Sequence, residues 1–282
     1  MKLSFRRKAV NAVMLALTGV CTFLVAGVLL VILGYLAWNG FSSLSLDFFT
    51  KLPVPVGESG GGMANAILGS AKVLLVAMLI GVPIGFFAGV YLAEFGEGLF
   101  PGMIRYTTDL LNGVPSIVIG IFAYALIVLP MRHPSTFAGG VALGVMMIPI
   151  SLRTTEEFLR AVPVQLREGA MALGASKART IFTVVIPAAK SGILSGLMLN
   201  LARVAGETAP LLFTAFGNTF WSPGWMLATA TLPQVIYAYA ISPYEEWHRQ
   251  AWAAGFVLLV LVLSVNAVAR FAIGRTAARG RS

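Results

Sequence analysis

Arg203 and Glu207 stand inside a stretch, Ser191 to about Phe216, that otherwise carries no charge. Gly192, Gly196, Asn200, Arg203 and Glu207 recur at steps of four, four, three and four, which places them along one side of a helix. Gly192 and Gly196 make a small-xxx-small pair of the kind that lets two helices approach closely. Farther along come an amide, a guanidinium and a carboxylate. At ~1.5 Å per residue, Arg203 lies ~20 Å along such a helix from Lys190. A lone arginine at a bilayer centre costs about 2.5–3.5 kcal/mol, so it must face protein or a water-filled path and have a partner. Two chemistries suit these residues. In one, Arg203 and Glu207 neutralise each other and the stripe locks helices together. In the other, Arg203 offers its planar fork of N–H donors to a passing phosphate-like oxyanion, and Glu207 holds the guanidinium in place and tempers its affinity. Asn200 shares that side. Lys72 and Arg153 are further candidates for an anion path, although either can simply snorkel at an interface.

The elements that position these residues are membrane helices. Of 282 residues 58% are apolar and 11% charged, against about 25% charged in an average soluble domain. The net charge of +9 suits cytoplasmic loops of a membrane chain better than a nucleic-acid surface, so no nucleic-acid partner is expected. Cys21 is the one cysteine and His133 and His248 are far apart, which leaves no disulfide and no expected metal site. Lys2, Arg6, Arg7 and Lys8 precede an apolar run from Val10 to Trp38, too long for a signal peptide and long enough to span a bilayer as an uncleaved first helix. Further spans are expected over Val73–Phe95, Leu110–Met131, Ser135–Leu152, Ser191–Phe216 and Ala251–Ala269. The fold class is therefore all-α integral membrane, with about six transmembrane helices. Between Thr208 and Tyr244, Gly217, Pro223, Gly224 and Pro233 interrupt an uncharged stretch, read as an outward segment with a short interfacial helix, a seventh or re-entrant span being the alternative.

Lysines and arginines set the orientation. The segment 153–190 carries Arg153, Arg160, Arg167, Lys177, Arg179 and Lys190, and the C-terminal tail carries Arg270, Arg275, Arg279 and Arg281. Six spans place both tails and that segment on one side, the cytoplasm. Within the segment, Thr154 and Glu157 have capping-box spacing and are expected to open a helix. Pro163 is expected to start another over Val164–Leu173, Gly174 to stop it, and Ser176 to cap a third that breaks at Pro187. Ordered punctuation of this kind suits a docking surface.

Glu168-Gly169-Ala170, Gly174, Val184 and Ile186-Pro187 resemble, at their spacing, the EAA loop of binding-protein-dependent ABC importer permeases, with Gly169, Val184 and Ile186 as conservative departures. The resemblance implies that these residues dock on a separate ATPase. It also implies the type I ABC importer permease fold with cytoplasmic coupling helices. The chain itself has no Gly-x-x-x-x-Gly-Lys-Ser/Thr, so it is expected to bind no cofactor and catalyse nothing, with ATP and Mg on the partner. The segments Ala202–Leu212, Leu111–Gly120, Tyr91–Glu94 and Leu166–Ala175 are similar to those of permeases of the high-affinity phosphate-specific (Pst) importer, and Ile150–Glu157 is closer to the A-type than the C-type. That resemblance implies a C-type permease, two ATPase subunits and an extracytoplasmic phosphate-binding protein as partners, in the bacterial inner membrane. The expected divisions are 1–60 for the tail, first span and outer loop, 61–273 for the permease core, and 274–282 for the cytoplasmic tail. Rival readings are an ABC permease for sulfate, molybdate or phosphonate, and a self-contained secondary transporter, which needs no ATPase. Pro83 with Gly81 and Gly85, and Pro115, are candidate kinks or packing residues.

Overall fold

A computed structural model describes residues 5–58 and 60–279, without the side chains of Phe5, 268–270 and 272–279. Lys2 and Arg281, two of the tail charges, lie outside the described residues. The chain runs α1 (Phe5–Ser42), α2 (Leu46–Thr50), α3 (Ala64–Phe95), α4 (Leu99–Gly113), α5 (Ser116–Met131), α6 (Thr136–Arg160), α7 (Val164–Ala172), α8 (Lys177–Ala205), α9 (Ala209–Thr214), α10 (Leu232–Ala240) and α11 (Glu245–Arg279). Five of these helices are long and apolar enough to cross a membrane, and six if α4 and α5 count as one bent span. The expected count of about six stands. Pro115 separates α4 from α5, and the two helices meet at a bend of 102°, so it does act as a break.

The centre of the bundle is the pair α3–α6. Both are glycine-rich on the facing side because their backbones touch. A Cβ on Gly85 would lie 2.5 Å from the Ser151 Cβ, and one on Gly89 would lie 2.6 Å from that of Thr155. Gly140 and Gly144 of α6 receive Val76 and Ile80 in return. Small residues at a four-residue period allow this approach, and dispersion between the backbones then holds the pair. Gly81 and Gly85 therefore serve packing, and α3 continues through Pro83 without a break. Gly85→Val is expected to destabilise the bundle by about 1–3 kcal/mol or more through overpacking, read as a lowered thermal midpoint of the detergent-solubilised protein.

The spans expected from Val73 and Leu110 begin earlier, at Ala64 and Leu99, and three further boundaries differ from expectation. Thr154 and Glu157 open no helix, since α6 continues from the membrane segment to Arg160, where Glu156 pairs with arginines on both sides. Pro187 does not break its helix. A π turn over Ile181–Val185 precedes it, with the Ile186 N–H donating to the Ile181 carbonyl five residues back. The widened turn moves the carbonyls away from the proline ring that would otherwise strike them. Pro130 is accommodated in the same way by a π turn over Tyr124–Val128. Finally, α8 stops at Ala205, well before Phe216.

Residues 215–231 fold over one end of the bundle, and no seventh span occurs among the described residues. The segment is pinned to the first turns of both central helices. Asn65 donates to the Asn218 carbonyl at 2.6 Å, and the Thr136 and Phe137 N–H groups reach the Leu227 and Trp225 carbonyls, each at 2.9 Å. The Leu232 N–H donates to the Ser70 hydroxyl at 2.8 Å, and α10 is the short helix expected there. The other end of the bundle carries a cluster of paired charges. Arg105, Arg153, Arg160, Arg167 and Lys177 gather there with Glu94, Asp109 and Glu156.

Candidate functional site

The expected stripe on α8 divides into two rows. Gly192, Gly196 and Asn200 face α6: a Cβ on Gly192 would strike the Phe158 ring, and one on Gly196 would strike the Thr154 methyl. Asn200 is 1% exposed and donates to the Met147 carbonyl and the Ser151 hydroxyl, both at 3.0 Å. Met147 and Ser151 lie in the middle third of α6, which puts Asn200 at mid-depth. The step of three from Asn200 to Arg203 crosses to the neighbouring row of the helix surface. That row is Ser191, Ser195, Leu199 and Arg203, all exposed. The two serines, four residues apart and in register with Arg203, were legible in the sequence beside the glycine pattern.

Arg203 sits in the last turn of α8, the negative end of the helix dipole, which favours a cation. Gly206 ends the helix, its N–H donating to the Arg203 carbonyl at 3.2 Å, and Glu207 lies beyond the end in a non-helical step before α9. The sequence-based i,i+4 pair is therefore absent: the two residues are not on one helix, and neither side chain has an ion pair or hydrogen bond among the described residues. Pro210 presses against Gly120 of α5, so the chain turns here against another helix of the bundle. The arrangement is an exposed guanidinium and a half-buried carboxylate flanking a break in a membrane helix, approached by a row of hydroxyls.

The weaker candidates are engaged elsewhere. Arg153 donates to both carboxylate oxygens of Asp109, at 2.6 and 2.7 Å. Lys72 donates to the Ser222 carbonyl at 2.6 Å and lies 5.7 Å from the Trp225 ring centre, fastening the covering segment. Asn200 holds α8 to α6 and turns away from the exposed row. Replacing Asn200 by Leu is expected to strand the Ser151 hydroxyl and crowd Met147, costing about 1–3 kcal/mol, seen as reduced thermal stability with no altered solute preference.

The coupling-segment residues fall into two groups. Helix α7 begins after Pro163 as expected and ends in a Schellman cap. The Gly174 N–H donates to Met171, the Ala175 N–H donates to Ala170, and Gly174 has φ +87°. Glu168, Gly169 and Gly174 are exposed, Ala170 is half-buried, and Leu166, Met171 and Leu173 turn apolar side chains outward, Leu173 being 91% exposed. Ser176 caps the next helix by accepting from the Arg179 N–H. Val184, Ile186 and Pro187 lie in the first turns of α8, where Ile186 packs against the buried cluster that includes Leu159, Val162 and Val185. No group of three or more metal-ligating side chains occurs among the described residues.

Residues 81–278 match the family model described as the binding-protein-dependent transport system inner membrane component. The chain belongs to this family. Its curated relatives include the phosphate transport system permease protein PstA of Yersinia pestis, 45% identical over 82% of this chain and 79% of that protein. The protein of the same name from Haemophilus influenzae is 43% identical over 94% of both chains. Among solved structures, an amino acid ABC transporter superposes with a TM-score of 0.58 at 19% identity, over 75% of this chain and 92% of that one. A bacterial ABC transporter that imports the acidic polysaccharide alginate gives a TM-score of 0.58 at 13% identity, over 96% of both chains. The permease thus has the fold expected from its EAA-like loop.

Proposed function

We propose that this permease forms half of the translocation pathway of an ATP-driven phosphate importer and couples to a separate ATPase through residues 163–187. The observation that carries the reading is Arg203: exposed, without a partner among the described residues, and one turn from Asn200 at mid-depth in the bundle. A guanidinium there is unfavourable against lipid, so the surface it occupies must be lined by water or by another subunit. The non-helical step 206–208 leads to the same place, because free backbone groups at membrane depth need protein or water around them. The relatives' names supply the solute, and guanidinium donors fit phosphate oxygens.

The partners are a second, C-type permease facing Arg203, two ATPase subunits that carry ATP and Mg, and an extracytoplasmic phosphate-binding protein docking on the end covered by 215–231. The arginine-rich end, with both termini, faces the cytoplasm, in line with the positive-inside rule. Closure of the ATPases pushes on the exposed face of α7, the bundle rocks, and phosphate released at the covered end passes Arg203 toward the cytoplasm. Glu207, just beyond the end of the helix, keeps that affinity low enough for release. Purification of the tagged permease from native membranes tests the assembly: an ATPase and a second permease should co-purify, and recovery of this chain alone would favour a self-contained transporter.

A further inference from the structure

The cytoplasmic end of α3 is held by four cations that come from four other parts of the chain. Arg105 of α4 donates to the Leu92 carbonyl at 3.1 Å and to the Gly96 carbonyl at 3.2 Å. Arg160 of α6 reaches Leu92 at 3.3 Å, and Lys177, the first residue of α8, donates to the Glu94 carbonyl at 2.8 Å. Arg167 of α7 pairs with the Glu94 carboxylate and also donates to the Leu159 carbonyl of α6 at 2.6 Å. The last carbonyls of a helix are orphan acceptors at the negative end of its dipole, so cations belong there. A carboxylate does not belong there. Glu94 stands in the last turn of α3 nevertheless, and its side chain is only 6% exposed. What compensates it is Arg167, on the helix that presents the EAA-like residues.

We propose that Glu94 is a positioning residue for transport: with Arg167 and Lys177 it clamps the coupling segment to α3, so that α3 and α8 move together when the ATPase moves. This rests on the importer reading above. The coupling segment runs directly into α8, so a push on α7 reaches Arg203 along that path without help. Apolar packing also joins α8 to α3, through Val82, Phe86, Val90 and Ala93, but the clamp is the charged tie at the end of α3, beside the segment that is pushed. Arg167 lies before Gly174 and Lys177 after it, so both halves of the segment are tied to one helix end, and the turns at 161–163 and 173–176 cannot absorb the displacement. From there the glycine interlock of α3 with α6 carries the movement through the bundle. With the clamp broken, the loosened segment would take up part of the displacement before it reached the end of α3, and less phosphate would be moved for each ATP hydrolysed.

The test is phosphate delivered per ATP hydrolysed by the whole reconstituted importer, with its binding protein, in proteoliposomes. Glu94→Gln should lower that ratio at least fivefold while the ATPase still co-purifies, and the exchanged pair Glu94→Arg with Arg167→Glu should recover to within twofold of wild type. A merely structural role would lower yield and leave the ratio unchanged. A ratio within twofold of wild type for Glu94→Gln, or an exchanged pair no better than Glu94→Gln alone, overturns the clamp. If Glu94→Gln does not assemble, Lys177→Gln, at an exposed position, is read by the same ratio: a lowered value supports the clamp and an unchanged one overturns it. Absence of ATP-coupled phosphate movement in the wild type would sink the importer reading and the clamp with it. Coupled wild type beside equally coupled Glu94→Gln sinks only the clamp.

Discussion

Arg203→Ala should abolish phosphate uptake by the assembled importer and leave its assembly intact. Both halves of that expectation come from the surroundings of the side chain. It makes no ion pair or hydrogen bond among the described residues, so removing it strands no buried partner there and leaves no cavity in the packed row of Gly192, Gly196 and Asn200. What is lost is a charged fork at mid-depth. Two charge-assisted hydrogen bonds to a phosphate in transit contribute about 3 kcal/mol or more, a factor of about 10² or more in uptake. Arg203→Lys, a point charge without the fork, should fall between. Radiolabelled phosphate uptake by a strain carrying the variant, beside co-purification of the ATPase, reads both halves. Uptake within a few-fold of wild type would return Arg203 to a structural role.

The second large effect belongs at the other end of the molecule. Gly174→Val should uncouple the permease from its ATPase. Gly174 closes the Schellman cap of α7 in the left-handed region, φ +87°. A Cβ there meets no atom within 4 Å, so the obstacle is the backbone conformation and not crowding. A β-branched residue in that region costs about 1–3 kcal/mol, which the exposed turn relieves by unwinding the last turn of α7. That turn and its cap hold Gly169–Leu173, with Met171 and Leu173 exposed, on the face proposed to meet the ATPase. ATPase recovered with the variant permease and phosphate-stimulated hydrolysis should both drop about tenfold or more, while Gly174→Ala, with a smaller penalty, should lose less. Normal coupling in Gly174→Val would remove the turn from the docking surface.

The outline of the molecule was legible because it rests on strong terms: long apolar stretches, loops punctuated by glycine and proline, and lysines and arginines gathered on one side. Pro163, Gly174 and Ser176 do what their types dictate, since each acts through local backbone geometry. What was not legible depends on a neighbour. Thr154 and Glu157 have capping spacing, but Glu156 between them is held by Arg105 and Arg160, and the helix runs on. Pro187 ought to end a helix, and a π turn upstream accommodates it. Arg203 and Glu207 look like a helical pair until Gly206 ends the helix between them. Asn200 carries hydrogen-bonding groups suited to a solute, and α6 takes its donors. Glu94, which the sequence marks only within a family-like segment, pairs with Arg167, and its carbonyl accepts from Lys177. Its misfit with the helix dipole was the one signal in the sequence.

The central claim is that this bundle moves phosphate only when a separate ATPase drives it. The most direct measurement is ATP hydrolysis and phosphate accumulation in the same proteoliposomes, containing the permease pair, the ATPase and the binding protein, with phosphate, sulfate and molybdate offered in turn. Phosphate alone should both stimulate hydrolysis and accumulate inside, and only while ATP is present. Accumulation without ATP, or stimulation by sulfate or molybdate and not by phosphate, would contradict the account.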